Sequence, residues 1–424
     1  MTIYIKNGRV IDPANNFDAI SDVFIKDGSL TKTPESPKAD LTINADGLWV
    51  VPGFIDLHTH LREPGFERKE TIETGAAAAA AGGFSAICAM PNTNPVADSV
   101  EVLSYIKNKA ESCSSVRVFP ICSVTAGMRG RELNDYAALR KYAVAISEDG
   151  KSVQDDSVME KAFFKAKAAG LKIFSHCERE SLMNGGVIND GAAAERFGFP
   201  GITSETEETI IERDIRLAEK AGASLHICHV SSAGGVTLIR QARERGVDVT
   251  CEVCPHHFTL TDEDITDDDS NFKMAPPLRS RIDRAALIEG LRDGTISAIA
   301  TDHAPHSARD KEGGFLKAAN GIIGLETALP LAISELSRVL TPSEIISKMS
   351  LNPARILGVA GGTLSVGASA DVTIINPSER YKIDISIFRS KSKNSPFNGR
   401  AVVGRVIYSI ISGRVAYDYR QTNR

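Results

Sequence analysis

The sequence predicts an α/β fold: a (β/α)8 TIM barrel carrying a small β-sandwich domain assembled from both termini. Three observations carry this expectation. Through residues 53–361, short apolar, β-branched runs alternate with amphipathic stretches. Eight such runs can be counted, and parallel strands covered on both faces read in this continuous apolar way. Residues 1–52 and 362–424 instead read as short strands with no long helical pattern. An open doubly wound sheet is the competing reading, but no Gly-x-Gly-x-x-Gly turn follows the first strand of the middle region.

Taken in order, Thr2–Lys6, Asp22–Lys26 and Leu41–Asn44 are β-rich, with Asn7-Gly8 and Asp27-Gly28 as turns after the first two. The eight apolar runs are Phe54–His60, Ser85–Met90, Val116–Val124, Ala143–Glu148, Lys172–His176, Ser224–Val230, Val247–Pro255 and Ile296–Asp302. Helical patterns separate them, for example Ser157–Ala169, Glu207–Ala221 and Ile282–Leu291, and Gly170 and Gly222 stand where helices should stop. The alanine-rich run from Gly75 to Gly83 suits a helix packed closely on its neighbours. Asp371–Ile375, Ala401–Tyr408 and Arg414–Tyr417 close the chain as strands, with a Ser412-Gly413 turn between the last two.

Composition narrows the function classes. A net charge of -5 in 424 residues leaves no basic footprint for nucleic acid. No apolar run is long enough to span a membrane, and Met1–Ile11 lacks the apolar stretch of a signal peptide. Seven cysteines, an odd count in a large chain, fit reduced thiols and a cytoplasmic location. Cys251-Glu252-Val253-Cys254 has no second cysteine pair after it and reads as two strand thiols.

In a barrel of this kind, functional side chains gather at the C-terminal ends of the strands. The first run ends Asp56-Leu57-His58-Thr59-His60, and strand alternation puts His58 and His60 on one face. The fourth ends Glu148-Asp149-Gly150, the fifth at His176, the sixth at His226-Ile227-Cys228-His229, and the eighth at Thr301-Asp302-His303. A single histidine at a strand end is usually a satisfied polar residue, and Asp before Gly is usually a turn. The joint occurrence is different. His58, His60, His176 and His229 with Asp149 and Asp302 form a nitrogen and oxygen donor set that suits Zn²⁺, or Mn²⁺ and Co²⁺.

These residues resemble the amidohydrolase superfamily, and most closely the larger, class I bacterial dihydroorotases. Asp56–Gly65 is similar to one signature of that family, Ala300–His306 to a second, and Met90-Pro91-Asn92-Thr93-Asn94-Pro95 matches as well. The resemblance spans essentially the whole chain. It implies one or two zinc ions, with His58, His60 and Asp302 on the more buried ion and His176 and His229 on the other. Many superfamily members bridge the ions with a carbamylated lysine. Here the resemblance assigns the bridge to Asp149, with Glu148 or Lys151 as less favoured substitutes. It also implies substrate contacts from Arg62, Asn92, His306, Asn320 and Gly321, and Arg62 has the planar fork that fits a carboxylate. Two positions depart from the family pattern: Ala275 stands where asparagine is common, and Asn320 where phenylalanine is common.

The activity implied is the reversible cyclisation of N-carbamoyl-L-aspartate to (S)-dihydroorotate plus water, in pyrimidine synthesis, with Asp302 as proton carrier. Residues His306–Asn320 read as a mobile loop over the mouth. The alternatives are an allantoinase or dihydropyrimidinase, or a non-catalytic partner subunit of aspartate carbamoyltransferase. The partners expected are a small-molecule substrate and a second copy in a homodimer, with association to aspartate carbamoyltransferase as a further expectation.

Overall fold

The computed structural model describes residues 1–422. Its centre is a row of parallel strands in chain order: Phe54–Thr59, Phe84–Ala89, Arg117–Pro120 continued by Cys122–Ser123, Ala145–Ser147, Lys172–Ser175, Leu225–Ile227, Val249–Val253 and Ala298–Ile299. These are the eight runs expected, most of them shorter at one end or both. The two ends of the row meet. Thr59 and His303 form a parallel bridge, and the His60 N–H donates to the His303 carbonyl at 2.8 Å. Leu57, Cys88, Ile121, Ala145, Phe174 and Ala298, from different strands of the row, share one buried apolar cluster with Cys228. Most of the helices pack on the opposite side of the row, while helix Leu351–Leu357 sends Ile356 into the inner cluster.

The expected helices are present and their ends have local causes. Asp156–Ala169 starts at Asp155, whose carboxylate accepts from Ser157 N and Val158 N, and stops at Gly170 with φ of 68°. Glu205–Ala221 stops in the same way at Gly222, with φ of 59°. A side chain at either position would meet the left-handed backbone penalty that glycine escapes. The alanine-rich run forms helix Ile72–Ala81, capped by Thr71.

The two ends of the chain share one sheet. Its order is Arg414–Asp418, Ala401–Ile411, Val372–Lys382, Trp49–Pro52, Thr2–Asp12, Phe17–Lys26 and Ser29–Thr31, with Leu41–Asn44 also paired to Thr2–Asp12. The sandwich expected from sequence is therefore a single hydrogen-bonded sheet of eight strands. It curls until its far edge meets the approach to Val372, with Leu30 N–H on Ala368 O and Ala370 N–H on Gly28 O, both at 2.9 Å. The curl encloses Ile3, Ile5, Val23, Ile25, Val50, Val372 and Ile374.

The first strand makes the bend possible. It pairs with Leu41–Asn44 through Ile3–Lys6 and then with Trp49 and Val50 through Arg9 and Val10. The switch falls at a register break between Ile5 and Gly8. Asn7-Gly8, expected as a turn, is thus a bulge inside a strand that runs on to Asp12. A Cβ at Gly8 would lie 2.4 Å from Val50 Cγ2, so only glycine lets the strands approach. Asp27-Gly28 and Ser412-Gly413 are true hairpin turns, with φ of 50° and 83° and of 49° and 73°.

Phe54 opens the first parallel strand, fully buried, with its ring 5.7 Å from that of Phe84 in an edge-on packing. Phe54→Ala should therefore destabilise the chain by about 3–5 kcal/mol. Urea unfolding followed by circular dichroism reads the loss; a change below about 1 kcal/mol would show that the neighbours refill the space.

Candidate metal centre and its pocket

Short strands bring the ligand-type side chains together. On the strand that ends at Thr59, the Thr59 hydroxyl donates to the Cys88 carbonyl at 2.6 Å, which ties that side chain to the next strand. His58 and His60 on the other face turn toward the middle of the row. Asp149 follows the strand Ala145–Ser147, His176 follows Lys172–Ser175, His229 follows Leu225–Ile227, and Asp302 follows Ala298–Ile299. All six side chains are buried.

Asp149 lies between two histidine pairs. Its Oδ1 is 3.2 Å from both His58 Nε2 and His60 Nε2. Its Oδ2 is 3.0 Å from His176 Nδ1 and 3.3 Å from His229 Nε2. Asp302 Oδ1 stands 3.0 Å from His60 Nε2 and 3.6 Å from His58 Nε2. Of the two substitutes for Asp149, Glu148 points elsewhere, its carboxylate accepting from the Thr125 N–H at 3.0 Å and from the Thr125 hydroxyl. Lys151 lines a separate surface pocket.

A second layer orients the rings. His58 Nδ1 is 2.8 Å from Glu252 Oε1, and Glu252 Oε2 is 3.1 Å from His226 Nε2. His60 Nδ1 is 2.8 Å from Asn92 Oδ1. With Nδ1–H donating outward, each Nε2 is turned to the cluster, where a metal ion would take the place of its proton. Burial opposes charge on His58, yet Asp149 and Asp302 outweigh it and hold its pKa well above the usual range. Burial pushes Glu252 upward, and His226 and His58 overcome this to bring it down to about 2. The donor chemistry fits divalent ions: imidazole lone pairs on two sides of one carboxylate, in a dry setting with a net demand for positive charge.

A cavity of about 240 Å³ opens from the cluster. Every residue expected to touch substrate lines it: Arg62, Asn92, His306, Asn320 and Gly321, together with His60, Asp149, His176, His229 and Asp302. Arg62 is buried, with Nε donating to Pro305 O at 3.2 Å and one Nη atom 3.3 Å from His306 Nε2. Burial lowers its pKa to about 10, so the guanidinium stays charged at neutral pH. His306 is pushed down to about 2 by burial and by the cations Arg62, Lys69 and Lys311. Asn92 serves His60 through its oxygen, which leaves its amide N–H groups for the cavity.

Residues 306–320 are packed down rather than free. Ala308–Lys311 and Gly314–Lys317 are helical turns, Phe315 is buried, and Arg68 grips Asp310 at 2.8 Å. Lys311 Nζ reaches the carbonyls of Lys273, Ala319 and Gly321 at 3.2, 2.9 and 3.0 Å. It thereby holds the backbone beside Asn320.

Sequence reasoning missed Lys311, Glu178 and Glu252. Glu178 lines the cavity and stands 3.7 Å from His176 Nε2. Glu252 had a signal, since it is a lone carboxylate in the otherwise apolar strand Val249–Val253.

A run of parallel strands with helices outside, ending in this donor set, defines the amidohydrolase class. Comparison with known proteins agrees. The Dihydro-orotase-like family model matches residues 47–234. The chain is 47% identical over 423 residues to a dihydroorotase of Syntrophus aciditrophicus, covering 98% of this chain and 99% of that one. It is 48% identical to a dihydroorotase of Acetivibrio thermocellus, covering 97% and 98%. Among solved structures, the L-hydantoinase (dihydropyrimidinase) of Arthrobacter aurescens superposes with a TM-score of 0.88 at 28% identity, over 98% of this chain and 96% of that one. The dihydropyrimidinase of Brevibacillus agri shares the fold, with a TM-score of 0.86 at 24% identity over 99% and 95%. The chain belongs to the dihydroorotase family.

Glu252→Gln keeps the size of the side chain but removes the charge behind His58. It should weaken divalent-metal affinity by about 10- to 100-fold, read by competition with a chromophoric chelator; unchanged affinity would show that Glu252 does not tune the ring.

Proposed function

We propose that this chain is a dihydroorotase, interconverting N-carbamoyl-L-aspartate and (S)-dihydroorotate plus water. The observation that carries the reading is one cavity holding both a carboxylate shared by two histidine pairs and a buried guanidinium. A hydantoinase, whose ring bears no carboxylate, has no use for Arg62 there. The meeting of Thr59 with His303 supports a closed (β/α)8 barrel for residues 53–361, and the shared sheet supports residues 1–52 and 362–424 as one composite domain.

In this reading His58, His60, Asp149, His176, His229 and Asp302 would hold one or two Zn²⁺ ions, with Asp149 as the carboxylate shared between the histidine pairs. Ions bound there supply a Lewis acid and lower the pKa of water from 15.7 toward about 7. The protein's own groups do the rest. Arg62 and the Asn92 amide bind the ring carboxylate, with His306 beside them as a neutral hydrogen-bonding partner. Lys311 fixes the backbone of Asn320 and Gly321 against the ring. Ala275 presents only a methyl group and its backbone to the cavity. In ring opening, Asp302 takes the proton of the attacking water on its carboxylate and delivers it to the departing ring nitrogen; closure runs the same transfer backward. The family resemblance supports a cytoplasmic homodimer, with aspartate carbamoyltransferase as a further partner.

The test is metal content together with turnover in both directions. The wild type should carry zinc and interconvert the two compounds, and Asp149→Ala should lose both properties. Metal without turnover would direct the search to another cyclic amide, and neither would favour a non-catalytic relative. A second measurement concerns His306. Because its pKa is held near 2, the ring is neutral at working pH. His306→Gln should lower kcat/KM about tenfold, the loss of one hydrogen bond to a charged group, without moving the acid limb of its pH profile. A limb that shifts on substitution would show that the ring titrates there.

A further inference from the structure

Cys254, His256 and His257 form a second cluster of ligand-type side chains, apart from the centre described above. Cys254 follows the strand Val249–Val253, and the two histidines lie in the short helix Pro255–Thr259. All three are buried, at 0%, 2% and 3% exposure. One ligand atom from each lies within 4.8 Å of the others.

Two nitrogens here have no hydrogen-bond partner: His256 Nε2 and His257 Nδ1. Buried polar atoms are almost always paired, so two orphans on adjacent rings call for an explanation. The tautomer of His257 is settled by its other nitrogen. Nε2 is 3.0 Å from the Pro276 carbonyl, which only accepts, so Nε2 carries the hydrogen and Nδ1 a bare lone pair. Burial lowers the pKa of His256 to about 4, and burial with His256 alongside takes His257 well below its usual value. Both rings are therefore neutral and able to donate lone pairs. Cys251 lies in the strand Val249–Val253, as expected, with its Sγ directed to the Thr295 carbonyl. The partners of Cys254 lie downstream.

We propose that Cys254, His256 and His257 bind a transition-metal ion of the Zn²⁺ or Co²⁺ type, at a structural site distinct from the six-residue centre. One sulfur and two imidazole nitrogens are a donor set for such ions. Bound donors stand about 2.0–2.3 Å from zinc, so small side-chain rotations close the present spacing. Binding requires the thiolate; the Cys254 proton leaves to solvent as the metal–sulfur bond forms. Burial, with Asp302 and Glu252 nearby, pushes the Cys254 thiol up, so the metal itself must displace the proton, while the two carboxylates offset the charge of the ion.

The test uses the full chain, stripped of metal and titrated with Co²⁺. Sulfur ligation gives a thiolate-to-cobalt charge-transfer band in the near ultraviolet, which nitrogen and oxygen donors alone do not give. The wild type should show this band. Cys254→Ala should lose it and bind one fewer metal per chain by elemental analysis, with turnover retained. Cys254→Ser, nearly the same size, gives the same answer if the alanine variant folds poorly. Cys228 is the control, because it adjoins His58 and Glu252. Absence of the band in the wild type, its persistence in both Cys254 variants, or its loss in Cys228→Ala alone would overturn the proposal.

Discussion

The structure depends on one carboxylate being shared. Asp149 presents each of its oxygens to a different pair of histidines, and these pairs come from three separate strand ends. Asp149 and Asp302, both buried among these imidazoles, are stable only if positive charge balances them, because isolated buried charge is costly. The rings are themselves tied down from behind, by Glu252 on His58 and by Asn92 on His60. The apolar ring of Leu57, Phe174 and their neighbours beneath has no polar role. It sets the spacing at which the strand ends can meet.

The polar wall of the cavity works differently from its metal side. Arg62, Lys69 and Lys311 crowd cationic charge around His306, which responds by staying neutral. The pocket is thus biased toward an anion on one flank and toward cations on the other. A substrate with a carboxylate at one end and an electrophilic carbonyl at the other matches that polarity. The hydantoinase neighbours share the scaffold, so the fold by itself does not choose the substrate.

Much of this was legible in the sequence because it depends on local rules. Gly170 and Gly222 mark helix ends through backbone conformation, and His58 and His60 share a face through strand alternation. All six donor-type side chains of the centre were readable at strand ends. What escaped depended on distant contacts. Asn7-Gly8 has the composition of a turn, and only the change of partner from Leu41–Asn44 to Trp49–Pro52 makes it a bulge. The single curled sheet, in place of a sandwich, follows from the same bend. Lys311 reads as part of a solvated polar loop, yet three carbonyls gathered from two segments bury it. Cys254 was compared with other cysteines when its neighbours in space are histidines.

The hydrogen bond from His60 to His303 joins positions far apart in the chain, and His60 and Asp302 are separated by 242 residues. This has a consequence for synthesis. A nascent chain leaving the ribosome from its N-terminus carries His58 and His60 long before Asp302 exists. The full donor set is assembled only when the last parallel strand arrives, and slow, non-local pairing of this kind is the costly part of folding. An incomplete chain holds only fragments of the candidate site, so whatever that site does belongs to the finished protein.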